Sequence, residues 1–291
     1  MGGYSFFTRH SDEFSGPVLA LLLRRPLVIH EQNAVAGLTN RMLAPLAKPV
    51  LEAFPGSLAG ALHTGNPVRR SIAALEFREP DLDARRPRLL VVGGSLGAAV
   101  FNEQVPVALA GIAAAQRPEV WHQTGLRHID SARAAYDNAG VAVRLEDFIE
   151  DMAAAYAWAD LVICRSGALT VSELAAAGRG SLLIPFAAAA GNHQEFNARS
   201  LEKAGGAVVL TEDEADASGV AGVLGRMLRD PERVSAMGRS ASTLAMPDAA
   251  VFIDLDPEFH LCQVLGNDEE FGRLQGSSDR LTRIDAARKN N

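Results

Sequence analysis

Short apolar runs alternate with helical patterns along most of this chain. Residues 27–29, 89–92, 120–123, 141–145, 161–164, 181–185 and 207–210 have the length and the aliphatic, often β-branched, content of buried parallel strands. Helical patterns are predicted between them at about 99–110, 128–138, 151–158, 168–177, 194–204, 220–228 and 231–244, and a shorter one from Leu38 or Thr39 to about Ala47. From Leu89 to Leu210 this amounts to six strands with helices between most of them, the pattern of a doubly wound parallel sheet. The stretch before it is thinner. It supplies about two strands, residues 27–29 and 49–54, followed by a turn-rich loop over residues 63–69. Residues 78–88, charged and punctuated by proline, read as a linker. After Val251 no period is sustained, and the polar texture predicts a loosely attached or partly disordered tail. The predicted division is therefore 1–87, an incomplete first domain and linker; 88–250, a complete Rossmann-like domain; and 251–291, a divergent tail.

Composition narrows the function. A net charge of −7 argues against a general nucleic-acid binder, which needs a basic face. Two cysteines, Cys164 and Cys262, make no disulfide framework, and the default setting is a reducing cytoplasm. No secretory signal is evident at the start, and the most lipid-like run, residues 18–23, is far too short to span a bilayer, although contact with a membrane surface stays open.

The richest chemistry lies between Asp160 and Glu173. An apolar strand, the small-residue turn Ser166-Gly167 and a helix closed by Gly178 make an anion site, because unpaired N–H groups and the positive end of the helix dipole face the turn. Glu173, one to two turns into that helix, is a carboxylate able to accept two hydrogen bonds at once, which suits a vicinal diol such as a ribose. The blander reading is an ordinary strand–helix unit with a solvated glutamate, and spacing alone favours it. Gly93-Gly-Ser-Leu-Gly-Ala98 allows close backbone approach but lacks the G-x-G-x-x-G spacing. His30-Glu31-Gln32-Asn33 ends the first strand, where ligands bind in open α/β sheets; a lone histidine there more often bonds the adjacent turn. The D-x-D pairs Asp81/Asp83 and Asp254/Asp256 fall in the linker and tail, so neither argues for a metal. Arg85-Arg86 read as solvated linker charges, and Trp121 and Trp158 as core or interface residues.

Taken together, residues 30–40, 64–69, 93–98, 148–152 and 164–173, with His193-Gln194, Asn197 and residues 246–250, resemble the MurG family of peptidoglycan N-acetylglucosaminyltransferases. Gly2-Gly3-Tyr4 resembles that family's Gly-Gly-Tyr loop. The resemblance implies a GT-B-like α/β fold and inverting transfer of N-acetylglucosamine from UDP-N-acetylglucosamine to undecaprenyl-diphosphate-linked N-acetylmuramoyl-pentapeptide. It implies no cofactor or metal, no nucleic acid, and peripheral attachment at the cytoplasmic face of the cell membrane. By the same resemblance Glu173 would hold the ribose diol, and Ile149 would contact uracil with Phe148 and Met152 shaping its pocket. Ser95 and Arg69 would hold the diphosphate, while Ala168, Leu169 and Thr170 would sit by the phosphates and sugar. Gln194, His193 and Asn33 would hydrogen-bond the sugar. His30, Glu31 and Tyr4 are the candidates for base and acceptor-side catalysis.

The chain also departs from the family pattern. The opening Gly-Gly-Thr-Gly-Gly-His loop and several strand–helix units are absent, residues 5–14 match nothing, and Gly191-Asn192 stands where an acidic pair is usual. These departures lead to the expectation of an N-terminally truncated transferase that binds UDP but transfers little alone. The alternatives are a UDP-sugar-binding fragment without turnover and a sugar-nucleotide epimerase of the same fold.

Overall fold

The computed structural model describes residues 27–79, 85–94, 97–189 and 192–250. The chain divides into two compact units, with the break between Pro67 and Val68. Tyr4, Ser95, the tail and both D-x-D pairs lie outside the described residues.

The first unit holds a small parallel sheet of three strands, β1 (Ile29–Glu31), β2 (Val50–Glu52) and β3 (Leu62–His63), in the order β1-β2-β3. Helix α1 (Leu38–Leu43) runs on into a 3₁₀ turn, Ala44–Leu46, between β1 and β2. Leu27, Ile29, Ala36, Leu43, Ala47 and Leu58 form its core. The strand β3 corrects the sequence expectation of two strands and a loop. Its two residues are exposed, so no apolar run announces it, and only its parallel pairing to β2 reveals it.

The second unit is the larger. Its helix α2 (Arg70–Ala73) is followed by six strands, β4 (Arg88–Val92), β5 (Glu119–Gln123), β6 (Arg144–Glu146), β7 (Leu161–Cys164), β8 (Gly180–Leu183) and β9 (Ala207–Val209). Between and after them lie α3 (Ala99–Ala110), α4 (Ile129–Ala139), α5 (Met152–Trp158), α6 (Ala168–Ala177), α7 (His193–Lys203), α8 (Ala217–Leu228) and α9 (Pro231–Ser242). All five strand pairings are parallel, in the order β6-β5-β4-β7-β8-β9. Leu89, Val91, Phe101, Ile163 and Leu182 are fully buried between sheet and helices; burial of one such side chain contributes about 1.5–3 kcal/mol.

Three expectations shift. β6 begins at Arg144 rather than at residue 141, because Gly140 takes a left-handed conformation (φ 60°) and the Val141 N–H bonds back to Tyr136 O, still closing α4. The break falls before Arg88 because α2 packs on α5 and α6, which draws the start of the linker into the second unit. Arg85 is no solvated charge. Its guanidinium donates to both carboxylate oxygens of Asp160 at 2.7 and 2.8 Å, and Asp160 also accepts from the Arg88 N–H.

The strand order reverses between β4 and β7. In a doubly wound sheet the loops leaving such a pair diverge to opposite faces and open a crevice at the carboxyl edge, where ligands bind. Here that places the glycine loop after β4 beside the turn after β7.

Candidate functional site

The turn after β7 is held from both sides. Ser166, fully buried, donates from Oγ to the Gln194 carbonyl at 2.7 Å, and its own carbonyl accepts from Asn197 Nδ2. Arg165 donates to the carbonyls of Ile184 and Pro185 and pairs with Glu212, tying the ends of β7 and β8 together. Gly167 then opens α6, and Ala168, Leu169 and Thr170 form its first turn at the switch point. The helix ends at Gly178 (φ 60°), the C′ position that the sequence marks.

Glu173 stands on the second turn of α6. Its Oε2 accepts from Tyr156 Oη at 3.1 Å, and Oε1 lies 3.9 Å from Arg69 Nε. The carboxylate side chain is only 14% exposed, so it is turned inward and not into bulk water. Tyr156, on α5, is fully buried; burial and the neighbouring carboxylate hold its phenol pKa well above the ordinary range, making it a fixed donor. Arg69 is 54% exposed, and at this separation its attraction to Glu173 is weak. The structure therefore brings Arg69 and Glu173 together and adds Tyr156, which no motif in the sequence marks.

On the other side of the crevice, Gly93 and Gly94 leave β4. Gly94 has a φ of +79° and Gly97 one of +75°; a Cβ on Gly97 would lie 2.4 Å from the Thr124 carbonyl, so this loop requires glycine there. Gln123, the last residue of β5, lies buried beneath the loop. Its Oε1 accepts from the Gly94 N–H at 3.1 Å, while its Nε2 donates to the carbonyls of Gly94 at 3.1 Å and Asp147 at 3.3 Å. Asp147 leads into Phe148, half-exposed, and Ile149, whose side chain is buried; Met152, partly buried, opens α5.

Gln194 uses its Oε1 to accept from the Phe186 N–H at 3.0 Å, which leaves its amide NH₂ to donate. His193 is the first residue of α7, partly buried, following Asn192 in the left-handed region that asparagine tolerates.

The first-unit candidates His30 and Glu31 sit in a different setting. His30 is fully buried and donates from Nε2 to the Gly65 carbonyl at 2.9 Å. Burial lowers its pKa, outweighing the opposing influence of that bond and of Glu31. The ring is enclosed, with no exposed surface. Glu31, 2% exposed, accepts from the Asn33 and Gly37 N–H groups at 2.9 and 3.1 Å and from Asn40 Nδ2 at 2.8 Å. It organises the loop that carries Asn33. Glu52, its register partner on β2, does the same for the next loop through Gly56, Ser57 and Leu58.

Comparison with known proteins gives consistent matches. The profile of the glycosyltransferase family 28 C-terminal domain matches residues 88–252. An enzyme of Marinobacter nauticus, a UDP-N-acetylglucosamine–N-acetylmuramyl-(pentapeptide) pyrophosphoryl-undecaprenol N-acetylglucosamine transferase, is 50% identical over 239 residues, 80% of this chain and 66% of that protein. The transferase of the same name from Alkalilimnicola ehrlichii is 51% identical over 257 residues, 87% of this chain and 70% of that protein. The chain thus spans about two thirds of the length of these relatives. Among solved structures, Acinetobacter baumannii MurG superposes with a TM-score of 0.74 at 33% identity, covering 85% of this chain and 71% of that one. A protein described as a UDP-N-acetylglucosamine 2-epimerase, from Listeria monocytogenes, reaches a TM-score of 0.55 at 14% identity and shares the fold alone. The fold is α/β of the GT-B class.

Proposed function

We propose, because this chain belongs to the MurG transferases of glycosyltransferase family 28, that its second unit binds UDP-N-acetylglucosamine. The reaction it serves is then inverting transfer of the sugar to N-acetylmuramoyl-pentapeptide on undecaprenyl diphosphate. The observation that carries the reading is the inward carboxylate of Glu173, held by Tyr156 at the switch point of a doubly wound sheet. A carboxylate accepts several hydrogen bonds, and in this reading the ribose hydroxyls bond to Glu173 beside the Tyr156 phenol. Ile149, its side chain buried, offers main-chain groups to uracil, with Phe148 and Met152 at the edge of that pocket. Ser95 is assigned to the diphosphate from the match of residues 93–98 to the family pattern alone. Arg69 turns from its loose pairing with Glu173 to the phosphates, where with the first turn of α6 it offsets charge developing on the leaving diphosphate. Gln194 donates to a sugar hydroxyl, joined by His193.

The acceptor proton is a separate matter. His30 and Glu31 are both buried and engaged, which favours a second reading, donor binding without turnover. Membrane attachment is peripheral in this proposal: Leu38, Met42 and Leu46 are 71%, 58% and 58% exposed, with the exposed cations Arg41 and Lys48 beside them. Among the described residues no helix is long and apolar enough to cross a membrane.

Titration calorimetry with UDP tests the donor assignment. Glu173→Ala should weaken binding more than tenfold, and unchanged affinity would remove the ribose assignment. Transfer of radiolabelled sugar to the lipid-linked acceptor separates the two readings: label in the lipid fraction establishes transfer, and UDP binding without label establishes the second.

A further inference from the structure

Two loops are expected to meet opposite ends of a uridine diphosphate, the glycine loop after β4 and the loop after β6. Gly94 stands one residue before Ser95, and Asp147 one residue before Phe148. Both Gly94 and Asp147 are exposed, and beneath them lies Gln123, 3% exposed. An amide side chain has one acceptor oxygen and two N–H donors. In Gln123 all of these are used, and used on these two loops: the Gly94 peptide is held through both its N–H and its C=O, and the second N–H goes to Asp147. The main chain at the same point reinforces the junction. The Gly93 N–H bonds to Gln123 O at 3.0 Å, and the N–H groups of Thr124 and Gly125 bond to the carbonyls of Glu146 and Asp147 at 2.9 and 3.1 Å. Displacing either loop therefore strains a hydrogen bond to the other through one buried side chain, and leaving such a group unpaired is costly.

We propose that Gln123 is a positioning residue that couples the two loops, so that the base end and the diphosphate end of the donor bind as linked ligands. The inference rests on the uridine-diphosphate reading given above. Neither isosteric relative of glutamine reproduces the junction. Glutamate would present a second acceptor to two carbonyls, and methionine would offer no hydrogen bonds of comparable strength.

Linkage is measured directly with the two halves of the ligand. In NMR titrations of the full chain, saturating uridine should tighten inorganic pyrophosphate about fivefold. In Gln123→Met both halves should still bind, but with a linkage below twofold. A purely structural side chain would lower the melting temperature and leave the linkage intact, so a variant that keeps the wild-type linkage overturns the proposal. A wild-type chain in which the halves bind independently also overturns it. If Gln123→Met does not fold, amide exchange of the wild-type chain decides: uridine alone should slow exchange at Gly93, Gly94 and Gly97, and no change there counts against coupling. A wild-type chain that binds no UDP would overturn the donor reading itself, and this inference with it.

Discussion

Glu31, Glu52 and Glu173 carry the same side chain into three buried or half-buried settings, and their surroundings separate their roles. The first two are held by donors of their own loops, Glu31 by the Asn33 and Gly37 N–H groups and Asn40, and Glu52 by the Gly56 and Leu58 N–H groups and the Ser57 hydroxyl. Glu173 accepts from the Tyr156 phenol on the preceding helix and faces a half-exposed arginine, a setting that orients the carboxylate. Removing the phenol hydroxyl should therefore affect ribose recognition in particular. Tyr156→Phe is expected to weaken UDP about fivefold, on the order of one charge-assisted hydrogen bond, and to leave 2′,3′-dideoxy-UDP unchanged; equal losses for both ligands would contradict the orienting role. His122 makes a second case at this scale. It is fully buried, with Nδ1 3.0 Å from Tyr136 Oη, and burial pushes its pKa from 6.5 down to about 3. The unfolded chain then holds the extra proton between those values. The stability that neutral His122 contributes is fully present above pH 6.5 and is lost as the pH falls toward 3. His30 acts in the same direction. Between pH 7 and pH 5, His122→Gln should lose about 2 kcal/mol less stability than wild type in urea unfolding; parallel pH curves would show that His122 is not the group titrating. Of these residue roles only the ribose assignment of Glu173 was suggested by the sequence. The fates of His30 and Glu31 depend on Gly65, Gly37 and Asn40, and Tyr156 meets Glu173 from another helix, so no local spacing records them.

Elements were more legible, and for identifiable reasons. β7 and α6 were readable to the residue because a four-residue aliphatic run, a Ser-Gly break and a closing glycine each have one structural meaning. Gly178 is doubly constrained: its φ is positive, and a Cβ there would lie 2.8 Å from the Phe77 ring, so the residue that ends α6 also lets the linker pack against it. β3 was missed because its two residues are exposed, and β6 was displaced because the turn of α4 continues past Gly140. Helix α1 and its 3₁₀ extension present the opposite situation, an element whose location was expected but whose outward face is apolar. Leu38 and Met42 fall four residues apart on one face, and Leu46 follows at the same interval, with Arg41 and Lys48 exposed nearby. An interfacial site combines apolar insertion with cationic attraction to anionic headgroups. The double variant Leu38→Ser, Met42→Ser should reduce cosedimentation with vesicles of anionic phospholipid about tenfold without changing UDP affinity. Unaltered vesicle binding would exclude this face as the contact.

At the scale of the molecule, the two units differ in how much each holds itself together. The second has six parallel strands and a large buried core that includes Leu89, Val91, Phe101, Ile163 and Leu182, with Leu90, Val162, Leu174 and Leu183 fully buried besides. The Arg85–Asp160 pair fastens the segment before β4 to the start of β7, and α2 adds packing against α5 and α6. The described part of the first unit has three strands of two or three residues and a core of six buried side chains, strands shorter than the usual five or so. The sequence anticipated this asymmetry but placed the boundary at Arg88, since a charged, proline-rich stretch reads as a linker whether or not it packs. The boundary has a functional consequence. If it lay at Arg88, a fragment beginning there would hold every group assigned to the uridine diphosphate except Arg69; with the break at Val68, Arg69 and α2 belong to the donor unit. A fragment of residues 68–247 should therefore unfold cooperatively and bind UDP within about threefold of the full chain. One beginning at Arg88 should be less stable, having lost α2 and the Arg85–Asp160 pair, and should bind more weakly for want of Arg69. The sugar supplies a further contrast, because Gln194 and His193 belong to the second unit. Any affinity that UDP-N-acetylglucosamine has beyond UDP should therefore survive in the 68–247 fragment and fall in its Gln194→Ala variant, and an increment that Gln194→Ala leaves unchanged would remove that residue from sugar recognition.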